Sequence, residues 1–162
     1  MGRIDWNLAD GGDKEDVQVI SSAIGGAPDR LLLSIGRLVC AWGLFEGSLE
    51  DRIDGLRMAA GEIRAVGNRS RPSMARRFAE LRAVVAMRDR RNVDALTEIA
   101  GIESEIQRID SIRMMVTEGF QASDGDGLLC RDGKNRTVRF ALEGLDKETD
   151  MLGTLRVRLA TI

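Results

Sequence analysis

Apolar residues recur along this chain in steps of three and four. The longest series runs through Leu31, Ile35, Leu38, Trp42, Phe45, Leu49, Ile53 and Leu56. That spacing puts them on one face of a helix of about seven turns. Ala27-Pro28-Asp29 opens it, because proline fits a first helical turn and aspartate suits the positive end of the helix dipole. Gly36, Gly43, Gly47 and Gly55 lie off the stripe. Each costs up to ~1 kcal/mol against alanine in a helix, so they predict close approach of a neighbouring helix. A turn-rich stretch follows (Gly61, then Gly67 to Pro72), and a second helix is predicted from about Ser73 to Arg88, with Met74, Phe78, Leu81 and Val85 inward. A third begins near Asn92, its core face running from Leu96 through Ile99, Ile102, Ile106 and Ile109 to Ile112 or Arg113, Val116 and Phe120. Ser123 to Gly127 stops it.

The period then changes. Leu128-Leu129-Cys130 and Thr137 to Leu142 flank Arg131-Asp132-Gly133-Lys134-Asn135-Arg136, which reads as a short β-hairpin with an Asp-Gly turn. Alternation of Val138, Phe140 and Leu142 predicts one buried strand face. The last helix is expected to start near Asp146, with Leu145, Leu152, Leu155, Leu159 and Ile162 in heptad register. The pattern therefore predicts an all-α fold: a four-helix up-down bundle, its long first and third helices antiparallel, carrying a small β-hairpin before the last helix. Residues 1–27, rich in glycine and acidic side chains, are expected to form a flexible or loosely packed arm, and residues 28–162 a single helical domain.

Composition narrows the chemistry. The chain of 162 residues contains no histidine, which excludes Ser-His-Asp and Cys-His nucleophile pairs, His-ligated zinc and every histidine base. Glu46 and Glu50 lie one turn apart on the first helix and Glu103 on the third, but a di-iron bundle needs Glu-x-x-His on two helices. Asp124-Gly125-Asp126-Gly127 lacks the later ligands of a calcium loop, since Leu128 takes the next alternate position and Asn135 the twelfth. No metal or cofactor is expected. Cys40 and Cys130 have no neighbouring ligands and read as reduced, mostly buried thiols of a cytoplasmic protein. The apolar stretch Leu31 to Phe45 is interrupted by Arg37 and is short for a bilayer, so no membrane association is expected.

Lys14, Lys134 and Lys147 are the only lysines among 24 basic residues, so arginine supplies nearly all the positive charge. Net charge is −5 over residues 1–56, +7 over 57–91 and −4 over 92–162. The central block has two readings. Its arginines pair with carboxylates of neighbouring helices or of a second subunit, or Arg64, Arg69, Arg71, Arg76 and Arg77 form an anion or nucleic-acid patch. The patch has no interleaved aromatics for base stacking, because Phe78 belongs to the core stripe. Glu46, placed beside the apolar stripe between Trp42 and Leu49, needs a partner, and an arginine on a facing helix is the candidate for a buried ion pair.

Two segments together carry a resemblance. The first helix contains Trp42-x-x-x-Glu46-x-x-Leu49-x-x-x-Ile53, and the third ends Arg113-Met114-Met115-Val116-Thr117-Glu118-Gly119. Over roughly residues 30–160 the chain resembles bacterial proteins of the HEPN superfamily (higher eukaryote and prokaryote nucleotide-binding domains) with an aromatic-plus-Glu first helix. In that family the third helix ends in Arg-Asn, any residue, an apolar residue, a small residue, then His-Gly. Arg113, Val116, Thr117 and Gly119 match, while Met114 stands where asparagine would be and Glu118 where histidine would be. The resemblance implies an all-helical homodimer in which arginine and histidine of two subunits would form a metal-independent ribonuclease site. Here that motif is degenerate. Cleaving RNA without a metal needs a group that exchanges protons near neutral pH beside a positive charge, and an ionised Glu118 would repel phosphate. Arg113 and Glu118 are expected instead to form a helix-end ion pair.

The functional expectation is thus a non-catalytic HEPN-like dimerisation or binding module with a second copy or another protein as partner, regulatory or linked to a defence or toxin–antitoxin system. The alternatives are a protein that binds RNA or DNA through the arginine block and a histidine-independent ribonuclease using Glu46, Glu118 or Arg113.

Overall fold

The structure, a computed structural model, describes residues 29–61, 72–88, 92–123 and 127–162. The expected N-terminal arm lies outside the described residues. Helix α1 spans Asp29–Ala59, α2 Met74–Arg88 and α3 Val93–Glu118; strands β1 (Phe120–Ser123), β2 (Gly127–Arg131) and β3 (Thr137–Ala141) follow, and α4 (Leu142–Ala160) ends the fold. The protein is mostly helical, with a small antiparallel sheet before its last helix.

The apolar stripe of α1 is its buried face: Leu38, Phe45 and Leu49 are fully enclosed, and Ile35 alone of the series is only half-buried. This face packs chiefly on α4 and α2. Isoleucines 99, 102, 106 and 109 of α3 and leucines 152, 155 and 159 of α4 complete one contiguous core with Phe78 and Leu81 of α2. Phe45 and Phe78 stack across the α1–α2 contact with ring centroids 6.4 Å apart. Asn92 caps α3, its Oδ1 accepting from the backbone N–H of Ala95 at 3.0 Å. The 31-residue α1 is long and apolar enough to cross a membrane by length and composition alone, a test that the core helix of a soluble protein also passes.

The glycines of α1 do not mark close helix contacts within the chain. A Cβ added at Gly36, Gly43, Gly47 or Gly55 meets nothing within 4 Å among the described residues, because these positions lie on the side turned away from the core.

The sheet differs from the expected hairpin by one strand. Helix α3 ends at Glu118 rather than continuing through Phe120, and Gly119 turns the chain. The Gly119 N–H donates to Met115 O at 3.0 Å, and its carbonyl accepts from Arg131 N at 2.7 Å. A Cβ here would overlap the Arg131 carbonyl oxygen, so only glycine permits this junction. Phe120–Ser123 then pairs antiparallel with β2, with an irregularity between Phe120 and Ala122, and β2 pairs with β3 from Gly127↔Ala141 to Arg131↔Thr137. The β2–β3 turn is closed by Asp132: its Oδ1 accepts from the N–H of Lys134 (2.9 Å) and Arg136 (2.8 Å), and its Oδ2 from Arg136 Nε at 2.7 Å. Asn135 takes the left-handed position, at φ 64°. The N–H of Arg136, then its side chain, hold the Asp132 carboxyl below its ordinary range.

Strand β3 runs into α4 with no intervening loop. Ala141 is extended, and Leu142, expected as the last inward strand residue, is the first and buried residue of the helix, four positions before Asp146.

Candidate functional site

Two candidate places lie along α1. At one, the end of α3 brings Arg113 against it. The Arg113 Nε and Nη2 donate to Asp110 Oδ1 at 3.0 and 2.7 Å, Nη2 lies 3.3 Å from Met114 Sδ, and Cζ sits 4.8 Å from the centroid of the Trp42 ring. Helix spacing explains the first contact, since residues three apart share a face. The second is tertiary: Trp42 is 7% exposed and offers the arginine its π-face. Thr117 Oγ1 donates to the Arg113 carbonyl at 2.9 Å.

Glu118 does not join this group. It is exposed at the end of α3, and five residues of helix turn it about 140° away from Arg113. The expected Arg113–Glu118 ion pair is therefore replaced by Arg113–Asp110. A phosphate approaching Arg113 would have to displace Asp110 from it.

Met114, with Asp110, also lines an open cleft of about 650 Å³ between α3 and the β2–β3 turn. Asp110, Ser111 and Met115 of α3 face Asp132, Lys134 and Arg136 of the turn across it. Each of its carboxylates is paired with an arginine, Asp110 with Arg113 and Asp132 with Arg136. The spacing of three between Asp110 and Arg113 is legible in the sequence, whereas only tertiary packing brings the turn residues to α3.

One turn further along α1 stands Glu46. Its Oε1 lies 3.6 Å from Arg77 Nη1 of α2. Arg77 is 2% exposed, and none of its side-chain nitrogens makes a hydrogen bond among the described residues. Arg77 thus leaves the expected surface patch: its guanidinium is enclosed between helices. Arg76 is exposed beside it, with its backbone N–H donating to Ser73 Oγ at 3.3 Å. Arg64, Arg69 and Arg71 lie outside the described residues.

Elsewhere arginines join neighbouring helices. Arg57 pairs with Glu80 across α1–α2 and Arg82 with Glu103 across α2–α3. Between α3 and α4, Arg108 donates to both oxygens of Glu148 at 2.5 and 2.7 Å, and Arg158 Nε meets Glu98 Oε1 at 2.6 Å. The hydrogen bond from Arg158 draws the Glu98 carboxyl below its ordinary range, and Glu148 raises the Arg108 guanidinium above its own. Cys130 is buried, and burial pushes its thiol up, whereas Cys40 is exposed rather than enclosed. Among the described residues no three His, Cys, Asp or Glu side chains converge as a metal site would require.

No protein-family model matches the chain, and neither a curated protein nor a solved structure matches it.

Proposed function

We propose that this protein is a non-catalytic, HEPN-like helical association module of the cytoplasm, with its four helices arranged as an up-down bundle and a second copy as its partner. The observation that carries this reading is the state of Arg113. The one basic residue retained from the nuclease motif is held by Asp110 and Trp42, and Glu118 stands exposed at the position where an active relative would hold histidine. A side chain bound in this way serves the α1–α3 contact rather than a phosphate.

The test has two parts. Purified protein incubated with single-stranded RNA is expected to leave it intact from acidic to alkaline pH, and light scattering at micromolar concentration is expected to give a dimer. RNA cleavage that disappears in Arg113→Ala overturns the non-catalytic reading. Binding of RNA or DNA at low salt with a steep salt slope would favour the arginine block instead. That alternative has less support, because Arg57, Arg77 and Arg82 of the block face carboxylates within the fold.

A further inference from the structure

We infer that the outer face of α1 is the surface on which a second copy of this chain docks, antiparallel, with Leu44 at the two-fold axis. This rests on the association reading above and assigns it a surface.

The face is defined by what the core leaves uncovered. Opposite its buried stripe, α1 exposes Leu32 (44%), Leu33 (62%), Val39 (45%) and Leu44 (56%). Gly36 and Gly43 lie among them on the same side. Two costs coincide there. Large aliphatic side chains stand in water over some four turns of one helix, a contiguous patch of the kind that marks an interaction surface. Glycines weaken the same helix by up to ~1 kcal/mol each and find no neighbour within 4 Å to justify them. A helix laid along this face resolves both: the glycines let its backbone approach, and the leucines and valine pack on either side of the contact.

Charge selects the occupant and its direction. On one flank of this face, Arg37, Leu44 and Asp51 follow each other at intervals of seven residues, so they line up with Leu44 in the middle. Arg37 is half exposed, reaching Asp146 only at 3.8 Å, and Asp51 is exposed. A parallel copy would bring Arg37 against Arg37 and Asp51 against Asp51. An antiparallel copy related by a two-fold axis at Leu44 brings Arg37 level with the partner's Asp51, twice by symmetry, and Leu44 against itself. The face is therefore self-complementary in one orientation.

The same geometry predicts which residues do not cross-link. Helices in contact at 8–10 Å with the glycines between them place the two Leu44 residues side by side on one flank, in van der Waals contact but beyond the Cα separation a disulfide allows. Cys40, four residues away, is separated from its own copy by about 12 Å along the axis and is out of reach.

The experiment measures assembly of the full chain by light scattering and by non-reducing gel after mild oxidation. Leu44→Arg, an exposed substitution, is expected to keep the helical circular dichroism of the parent and to weaken the dimer at least about a hundredfold. Arg37→Asp alone is expected to weaken it about tenfold, and Arg37→Asp combined with Asp51→Arg to restore it to within about threefold of the parent, as coupled charge pairs do. The parent is expected to form no cross-link through Cys40. A parent chain that stays monomeric overturns both this inference and the association reading. A dimer that survives Leu44→Arg, or that cross-links through Cys40, leaves association standing and overturns this surface and register.

Discussion

Arg77 and Arg113 carry the same guanidinium and both reach across to α1, yet they sit in opposite surroundings. Arg77 is 2% exposed, between helices, with Glu46 Oε1 3.6 Å from its Nη1. Arg113 keeps 24% of its side chain in solvent, donates two hydrogen bonds to Asp110 and covers the Trp42 ring. Around Arg113 water is at hand whenever a partner moves. Around Arg77 it is not, so the stability of that contact depends on the charge opposite. The difference teaches that an arginine's worth here follows from what surrounds it rather than from how well its hydrogen bonds are aligned: the better-made contacts are the more dispensable ones.

The largest consequence is expected at Glu46. Glu46→Ala strips a facing charge from an enclosed guanidinium and should cost about 3–5 kcal/mol, the range for breaking a buried ion pair. Urea unfolding followed by circular dichroism measures it, and a loss under about 1 kcal/mol would mean that water reaches Arg77. Replacing both partners, with Glu46→Leu and Arg77→Met together, should recover most of that loss or exceed the parent's stability by about 1–4 kcal/mol, since no charge is then buried.

At Arg113 a smaller effect is expected. Arg113→Met keeps the stem over Trp42 and removes the charge, so the loss should be about 1 kcal/mol, the sum of a cation–π contact and a surface ion pair. For a chain of this size that corresponds to a melting temperature lower by roughly 2–4 °C. Trp42 fluorescence should change with it, which separates loss of the stacked cation from a change elsewhere. A loss as large as that of Glu46→Ala would erase the contrast between the two arginines.

The smallest effect is expected at Glu98, whose pair with Arg158 is on the surface. Its carboxyl is drawn below the ordinary range by the hydrogen bond from Arg158. A depressed folded-state pKa gives stability that is complete above the unfolded carboxylate value, about 4.3, and is lost as pH falls through the folded one. The melting temperature of Glu98→Gln should therefore match the parent more closely at acidic pH than near neutrality. An identical pH dependence in parent and variant would show that the pair contributes nothing.

Much of this architecture could be read from residue spacing. The stripes of α1 and α4, the start of α3 at Asn92 and the β2–β3 turn at Asp132 are set by local rules: helical periodicity, side-chain capping, and the turn chemistry of Asp, Gly and Asn. Arg77 was readable too, for it falls between Met74 and Leu81 on the inward face of α2. Counting it with the surface arginines follows charge and ignores phase. The end of α3 was less accessible. Val116 and Phe120 continue the helical spacing, so periodicity alone carries the helix past Gly119. What ends it is the turn at Gly119 together with β2, a strand that takes Phe120–Ser123 as its neighbour.

Local spacing, then, accounts for which residues make helices and which faces are apolar, because both depend on neighbours three and four positions away. It does not say which acid an arginine meets. Asp110 instead of Glu118 beside Arg113, Trp42 beneath it, and Glu46 facing Arg77 depend on the packing of α1 against α2 and α3, and those contacts join residues tens of positions apart. The glycines of α1 make the same point from the other side. Sequence marked them as costly in a helix, but only the packed fold showed that their face is turned outward, since the direction of a face is settled by what the rest of the chain covers.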